Sequence, residues 1–208
     1  MAPENPCYDR LKSVEEAVQD GAQLTRQLLG FAQGGKYEVK LTDVNDLIFR
    51  TSEMFGRTKK EISIHRKFHE KLWTAEIDQG QISQVLLNLY VNAWQAMSGG
   101  GALYLETENV ILDSEYAGIY KRTPGRYVKI SVTDTGTGMD HQTMERIFDP
   151  FFTTKEIGRG TGLGLASAYG IIQNHQGIIN VYSEKGHGAT FTLYLPASEK
   201  SMIAQDTA

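Results

Sequence analysis

The spacing of hydrophobic positions changes at Gly34 and Gly35. Before these glycines, apolar residues from Leu11 to Phe31 recur on one stripe, which predicts a single amphipathic helix over residues 11–33. The residues before this helix are too few to form a second helix that could pack against it. Its apolar stripe therefore favours packing against a partner helix from outside this chain. After residue 35, alternating stretches typical of strands are interleaved with stretches of helical spacing. The pattern predicts one long N-terminal helix followed by a mixed domain.

The mixed domain is predicted to hold short strands and four helices. The strands are expected near residues 37–41, 62–68, 72–77, 102–110, 127–133, 178–183 and 189–195. The helices are expected near residues 43–57, 78–97, 142–148 and 163–175. Thr42 or Asp43 would cap the first of these helices and Asp78 the second. This order favours an α+β sandwich with helices on one face of a mixed sheet.

Composition narrows the class of protein. Among 208 residues, 21 are Lys or Arg and 25 are Asp or Glu, so the net charge of −4 disfavours general nucleic-acid binding. A single cysteine, Cys7, excludes an intrachain disulfide framework. No apolar run reaches the ~18–20 residues that span a bilayer, and the N-terminus lacks a signal-peptide pattern. We therefore expect a soluble intracellular chain, or a soluble piece of a longer protein, without membrane contact in this segment.

Two motifs contain polar groups suited to ligand binding. Asn88 and Asn92 lie four residues apart, so they share one side of a predicted helix, and an amide oxygen is a suitable Mg²⁺ ligand. Asp134, followed by Gly136 and Gly138, comes directly after a predicted strand, where a carboxylate can accept from an exocyclic amine. Each motif alone also fits an ordinary reading: surface amides for the first and an Asp-Gly turn for the second.

Two glycine-rich motifs are equally ambiguous in isolation. Gly158-Arg-Gly-Thr-Gly-Leu-Gly164 opens a predicted helix, where exposed N–H groups and the helix dipole favour an anion such as phosphate. It matches neither the GxxxxGK[ST] loop nor a dinucleotide fingerprint. Gly186-His-Gly-Ala-Thr190-Phe191 precedes the last strand and also fits a hairpin turn. His65 and His69 have a metal-binding spacing only if they are helical, and their surroundings alternate like a strand.

The order of all four motifs, together with Phe148-Asp-Pro-Phe-Phe-Thr-Thr-Lys155, resembles the GHKL superfamily of ATP-binding domains. Within that superfamily the chain resembles the sensor histidine kinases of two-component systems, over roughly residues 11–196. The resemblance implies a two-layer sandwich of the GHKL (Bergerat) type with a mixed, mostly antiparallel sheet. It divides the chain into the second helix of a dimerisation hairpin (1–34), a catalytic domain (35–196) and a flexible tail or linker (197–208).

The resemblance also implies a site for ATP and Mg²⁺. Asn92 would be the metal ligand, with Asn88 and Lys155 also placed in the catalytic site, and Asp134 would bind the adenine amino group with support from Thr190. Phe148, Phe151 and Phe152 would anchor a lid over residues 150–164. The cations Lys155 and Arg159 would reach the phosphates or remain solvated. The other residues implied to contact the nucleotide are Ala96, Gly136, Gly138, Met139, Gly160, Thr161, Gly162, Leu163 and Gly164.

Two departures from family patterns shape the expected activity. Gyrase-like and chaperone relatives carry a glutamate that activates water where this chain has Asn88, and a neutral amide is no general base, so direct ATP hydrolysis should be poor. No histidine lies in the N-terminal helix, so the phosphoacceptor is missing and the chain should not phosphorylate itself. We expect the ATP γ-phosphoryl group to pass to a histidine outside this chain.

The intact enzyme would relay the phosphoryl group to an aspartate of a response-regulator receiver domain. It would form a homodimer through the helical hairpin, and this segment would be cytoplasmic even if the parent protein is anchored in a membrane. Two other functions stay open at this point: a GHKL-type ATPase, and a non-catalytic nucleotide-binding dimerisation module.

Overall fold

The structure is a computed structural model that describes residues 38–155 and 160–199. The helix predicted over residues 11–33 lies outside the described residues. The strands are β1 (Lys40–Thr42), β2 (Ile62–Lys67), β3 (Ala75–Ile77), β4 (Gly101–Leu112), β5 (Gly125–Asp134), β6 (Ile178–Ser183) and β7 (Ala189–Pro196). The helices are α1 (Val44–Thr58), α2 (Gln79–Ala96), α3 (Ser114–Ile119), α4 (His141–Arg146) and α5 (Gly164–Asn174).

Five strands form one mixed sheet in the order β2-β4-β5-β7-β6. Only the β2–β4 pair is parallel within this sheet, and the other three pairs are antiparallel. The predicted mixed, mostly antiparallel sheet is therefore confirmed. Strands β1 and β3 pair antiparallel as a separate two-stranded sheet.

The main core lies between the sheet and helices α1, α2 and α5. Alternate residues of β5, namely Val128, Ile130 and Val132, are buried on the side that packs in this core, and Asp134 continues the same alternation. The strand therefore places a carboxyl group on the helix side of the sheet.

Helix α3 was not predicted from the sequence, and it lies between the strands predicted near residues 102–110 and 127–133. Asp113 caps it by accepting from the Tyr116 N–H at 2.7 Å. Ala117 and Tyr116 pack with Leu112, Tyr127 and Tyr194 in a second, smaller apolar cluster. Since Tyr127 lies out of phase with the core residues of β5, this helix covers part of the opposite sheet face.

The strand predicted over residues 72–77 is shorter in the structure, because side chains of β4 bond the preceding backbone. The Trp73 N–H donates to Asn109 Oδ1 at 2.9 Å, and Asn109 Nδ2 donates to the Lys71 carbonyl at 2.8 Å. The His69 N–H donates to Thr107 Oγ1 at 3.0 Å. A segment whose backbone is bonded by side chains does not continue the ladder, so β3 begins at Ala75.

The starts of α1 and α2 match the sequence prediction. Asp43, rather than Thr42, caps α1, and Asp78 caps α2 by accepting from the Gln81 N–H at 3.0 Å. The Asp78 N–H in turn donates to Nε2 of the buried His175 at 3.0 Å, which ties the start of α2 to the end of α5. Helix α2, which carries the two asparagines, is thus fixed at its N-cap residue, Asp78.

Backbone pairing continues past Pro196, where the sequence predicted the domain to end. The Ala197 N–H donates to the Arg126 carbonyl at 2.9 Å, and the Ser198 N–H donates to the Thr74 carbonyl at 2.7 Å. The start of the predicted tail therefore belongs to the fold. None of the helices in the described residues has the length and apolar character needed to cross a membrane.

Candidate functional site

Three side-chain carboxamides lie along one side of the C-terminal half of helix α2. Asn88, Asn92 and Gln95 follow one another at spacings of four and three residues, which makes them neighbours on a helix surface. Asn88 Nδ2 donates to the carbonyl oxygen of Gly164, the first residue of α5, at 3.0 Å. The first carboxamide of this stripe therefore joins α2 to the glycine segment, which comprises residues 160–164.

Lys155 meets the other end of the stripe. Its Nζ donates to Asn92 Oδ1 at 3.2 Å and also to Gln95 Oε1. Although the residue is exposed, its ammonium lies against α2, and the loss of hydration there lowers the pKa of Lys155. The structure brings together Lys155 and Asn92, which the sequence analysis placed in one site. Gln95 was missed, although its position three residues after Asn92 was the available signal.

Asp134 is the buried charge of the site, with a relative exposure of 5%. Its Oδ1 accepts from the Gly136 N–H at 2.8 Å. Burial raises the pKa of the Asp134 carboxyl, and the N–H groups of Gly136 and Ala189 oppose that rise without cancelling it. A carboxylate held this way has acceptor capacity left for a ligand donor.

The turn after Asp134 is packed directly on the end of helix α2. The Thr137 N–H donates to the Ala96 carbonyl at 3.1 Å. A Cβ at Gly136 would lie 2.7 Å from the Ala96 Cβ, so only glycine fits this approach. Ala96 is one helical turn from Asn92, and α2 therefore connects the Asp134 turn with the carboxamide stripe.

Gly138 and Met139 fix the other side of this turn. Gly138 has φ +62°, and a Cβ there would lie 2.0 Å from the Glu184 carbonyl oxygen. The Met139 N–H donates to Ser183 Oγ at 2.8 Å, and the Met139 side chain is half-buried against the main core. Gly138, Met139 and Ala96, which the family resemblance predicted to contact the nucleotide, all lie around the Asp134 turn.

The support of Asp134 by Thr190 is not found in the structure. The β5–β7 register pairs Thr190 with Thr133 and Asp134 with Ala189. Directly paired residues share a sheet face and successive residues alternate, so Thr190 lies on the face opposite Asp134. Its Oγ1 is 2.9 Å from Thr133 Oγ1. The prediction did not take strand phase into account.

The glycine segment comes close to both Lys155 and α2. A Cβ at Gly160 would lie 3.1 Å from Lys155 Cδ and 2.8 Å from Thr153 Oγ1. Gly162 has φ +65°, and its carbonyl accepts from the Phe151 N–H at 3.0 Å. Within the described residues, no side chain caps the first turn of α5 at Leu163. Its first N–H groups therefore remain available to an anion.

The three phenylalanines of the neighbouring segment have different environments. Phe148 and Phe152 are half-buried against the main core, with Phe148 5.3 Å from the Tyr169 ring and Arg146 4.5 Å above the Phe152 ring. Phe151 is 68% exposed, with φ +66°. Two of the three therefore anchor this segment. Arg159 lies outside the described residues.

The donor chemistry of the site suits a hard cation bound together with phosphates. Asn92 offers a neutral amide oxygen, and such an oxygen suits Mg²⁺ that keeps water and phosphate as its other ligands. Among the described residues, no group of three or more His, Cys, Asp or Glu side chains could hold a metal by itself. His65 lies in strand β2 and stacks on Tyr104 at 4.9 Å, which agrees with the strand reading of that segment.

Comparison with known proteins identifies the class of protein. Residues 77–199 match the family of histidine kinase-, DNA gyrase B- and HSP90-like ATPases, and the chain belongs to this family. Within it, the chain is a catalytic domain of the sensor histidine kinase type, with the GHKL fold. The resemblance drawn from the motifs is thus confirmed.

Particular relatives support this assignment. The chain is 37% identical over 204 residues to the sensor kinase CckA of Brucella abortus (strain 2308), covering 97% of this chain and 22% of that protein. It is 35% identical over 178 residues to the sensor histidine kinase ZraS of Escherichia coli (strain K12), covering 85% of this chain and 35% of that protein. The chain thus spans about a fifth to a third of these relatives.

Solved structures show the same fold. The catalytic domain of the histidine kinase ThkA has a TM-score of 0.63 at 29% identity, over 77% of this chain and 96% of that one. Full-length ShkA, solved in complex with AMPPNP, has a TM-score of 0.74 at 24% identity, over 97% of this chain and 41% of that one.

Proposed function

We propose that the domain binds ATP with Mg²⁺ and transfers the γ-phosphoryl group to a histidine that this chain does not supply. One observation carries the proposal: helix α2 places its carboxamide stripe between the buried Asp134 turn and the glycine segment. A buried carboxylate at one end and uncapped N–H groups at the other fit a ligand with a purine amine and a chain of phosphates.

In this proposal Asp134 accepts from the adenine amino group, and Ala96, Gly136, Gly138 and Met139 line the base. Asn92 holds Mg²⁺, which when bound neutralises phosphate charge. Gly160, Thr161, Gly162, Leu163 and Gly164 follow the phosphates, and the backbone N–H groups at the start of α5 bind phosphate oxygens. Lys155 supplies a positive charge near the transferred group. Phosphoryl transfer needs mainly positioning and charge neutralisation, which this set provides.

Asn88 supports transfer over hydrolysis. Its Nδ2 is engaged with the Gly164 carbonyl, and an amide cannot take a proton from water at neutral pH. The alternative of an ATPase requires a general base, and the residue at this position does not provide one. We therefore propose a slow steady-state release of phosphate.

The partners follow from the family. We propose that the phosphoryl group continues to an aspartate of a response-regulator receiver domain. The histidine kinase ThkA has been solved in complex with the response regulator protein TrrA. We also propose that residues 1–34 contribute the second helix of a dimerising hairpin and that the catalytic domain, predicted over residues 35–196, includes the paired residues 197 and 198 as well.

The proposal is tested with γ-³²P-labelled ATP. The purified chain is incubated alone, and then with a separate helical hairpin that carries the acceptor histidine of a sensor histidine kinase. We expect acid-labile, base-stable label on the hairpin only, and little free phosphate in either reaction. Label on a histidine of this chain, or rapid phosphate release without transfer, would contradict the proposal.

A further inference from the structure

The Lys155 ammonium bonds the same atom that the proposed function assigns to the metal. Lys155 Nζ lies 3.2 Å from Asn92 Oδ1, and it donates at the same time to Gln95 Oε1. Gln95 is an exposed residue three positions further along α2, and the family resemblance assigned it no role. Two neutral amide oxygens on one side of the helix thus bind a single cation together.

A magnesium ion and this ammonium exclude each other at Asn92. Mg²⁺ binds oxygen ligands at about 2.0–2.1 Å in near-ideal octahedral geometry. An ammonium bonded to the same oxygen would lie within a few ångströms of a divalent ion, where like charges repel. The Lys155 ammonium therefore has to leave Asn92 before the metal can be coordinated.

Gln95 determines how firmly the ammonium is held. Its Oε1 accepts from the Lys155 ammonium while that ammonium also bonds Asn92 Oδ1, the atom assigned to the metal. Removal of its amide would weaken that position and leave the coordination of Mg²⁺ by Asn92 unchanged. The aliphatic part of Lys155 is meanwhile positioned by Gly160, where a Cβ would come within 3.1 Å of Lys155 Cδ.

We propose that Gln95 is a positioning residue that, with Asn92, holds the Lys155 ammonium in competition with magnesium and so weakens magnesium-nucleotide binding. This inference rests on the proposed function, because it takes Asn92 as the metal ligand. It adds that an amide without an assigned role in the family resemblance modulates the affinity for the nucleotide.

The test is a double-mutant cycle on nucleotide affinity. Isothermal titration calorimetry with the magnesium complex of a non-hydrolysable ATP analogue is run on the wild type, Gln95→Met, Lys155→Met and the double variant. Methionine has a helix propensity close to that of glutamine. Gln84→Met, on the same helix three turns closer to its N-terminus, is the matched control.

We expect Gln95→Met to bind the analogue about twofold to fivefold more tightly, the scale of one exposed charged contact. This gain should vanish in the Lys155→Met background, and Gln84→Met should bind like the wild type. Unchanged or weaker binding by Gln95→Met would overturn the inference, as would a gain that persists without Lys155. Absence of any binding by the wild type would instead overturn the proposed nucleotide site.

A second readout examines the contact itself. In protein without nucleotide, the side-chain amide resonances of Asn92, assigned with Asn92→Asp, should shift in both Lys155→Met and Gln95→Met. In the presence of the magnesium analogue, Gln95→Met should leave these resonances at their wild-type positions. If neither substitution shifts the Asn92 resonances in nucleotide-free protein, the inference is overturned.

Discussion

At the scale of single residues, Asp134 shows a conflict between stability and binding. Its carboxyl is buried at the end of β5, and burial raises its pKa because water no longer solvates the charge. A folded-state pKa above the unfolded value means that the folded protein binds this proton more tightly. The stabilising contribution is therefore present at low pH and is lost as pH rises through the raised pKa. Above that pKa the charge costs stability, which the proposed contact with adenine would offset.

We predict that Asp134→Asn abolishes most nucleotide affinity without unfolding the protein. Asparagine keeps an oxygen that can accept from the Gly136 N–H, but it removes the buried charge. Loss of a charged hydrogen bond costs about 1.5–3 kcal/mol, which corresponds to a roughly 10- to 150-fold weaker binding of ATP. Calorimetry measures the affinity, and thermal unfolding of the variant should occur at or above the wild-type temperature. Unchanged affinity would remove the adenine assignment.

The pH dependence of ATP affinity tests the role of the Asp134 carboxyl independently. Since the pKa of Asp134 is raised, its carboxylate should protonate at a higher pH than an ordinary aspartate as the solution is acidified. ATP affinity of the wild type should fall over that range, whereas Asp134→Asn should show no such loss. An identical profile in both proteins would assign the titration to another group.

At the scale of elements, the turn between β6 and β7 supports the Asp134 strand. Gly188 has φ +77°, and a Cβ there would lie 1.9 Å from the Asp134 carbonyl oxygen. Gly186, two residues earlier, has φ +87°, yet no described atom lies within 4 Å of its Cβ position. The two glycines thus share a left-handed backbone conformation, but only at Gly188 would a Cβ collide with neighbouring atoms.

We predict that Gly188→Ala destabilises the domain far more than Gly186→Ala. The left-handed conformation costs an alanine about 1–2 kcal/mol at either position. At Gly188 the methyl group would also force the turn away from Asp134, so the total loss should exceed about 3 kcal/mol. Urea unfolding of both variants measures the difference in the free energy of unfolding. Equal losses would show that backbone conformation alone matters here.

Elements were predictable from sequence where local signals and the fold agree. Asp78 caps α2 as its position before an apolar-periodic run indicated, and β5 forms where the alternating pattern predicted a strand. Strand β3 is shorter than predicted because Asn109, distant in sequence, bonds the Trp73 N–H and the Lys71 carbonyl at the start of the predicted strand. Such competition depends on tertiary neighbours, which spacing along the chain does not contain.

At the scale of the whole molecule, the motif residues of the site were found from their order, but their partners were not. The sequence could group Asn92 with Lys155, yet the bond that joins them and the participation of Gln95 required coordinates. Thr190 was assigned to Asp134 because both belong to family motifs, whereas the strand register separates them onto opposite sheet faces. Motif membership predicts that residues share a region, and strand phase decides whether they meet.

Because α2 contacts both the Asp134 turn and the glycine segment, a ligand that spans them should stabilise the domain as one unit. A ligand at 100 times its Kd adds about 2.7 kcal/mol to the free energy of unfolding, which raises Tm by about 5–10 °C for a domain of this size. We predict this rise for ATP with Mg²⁺ and a smaller rise for ATP with EDTA at the same concentration. For Asp134→Asn with ATP and Mg²⁺ the predicted gain falls to about 0.3–1.4 kcal/mol, because its 10- to 150-fold weaker binding leaves the ligand at or below about ten times its Kd. Differential scanning calorimetry measures all three. Equal rises in Tm with and without Mg²⁺ would argue against Asn92 as a metal ligand. A full rise in Tm for Asp134→Asn would show that adenine binds elsewhere.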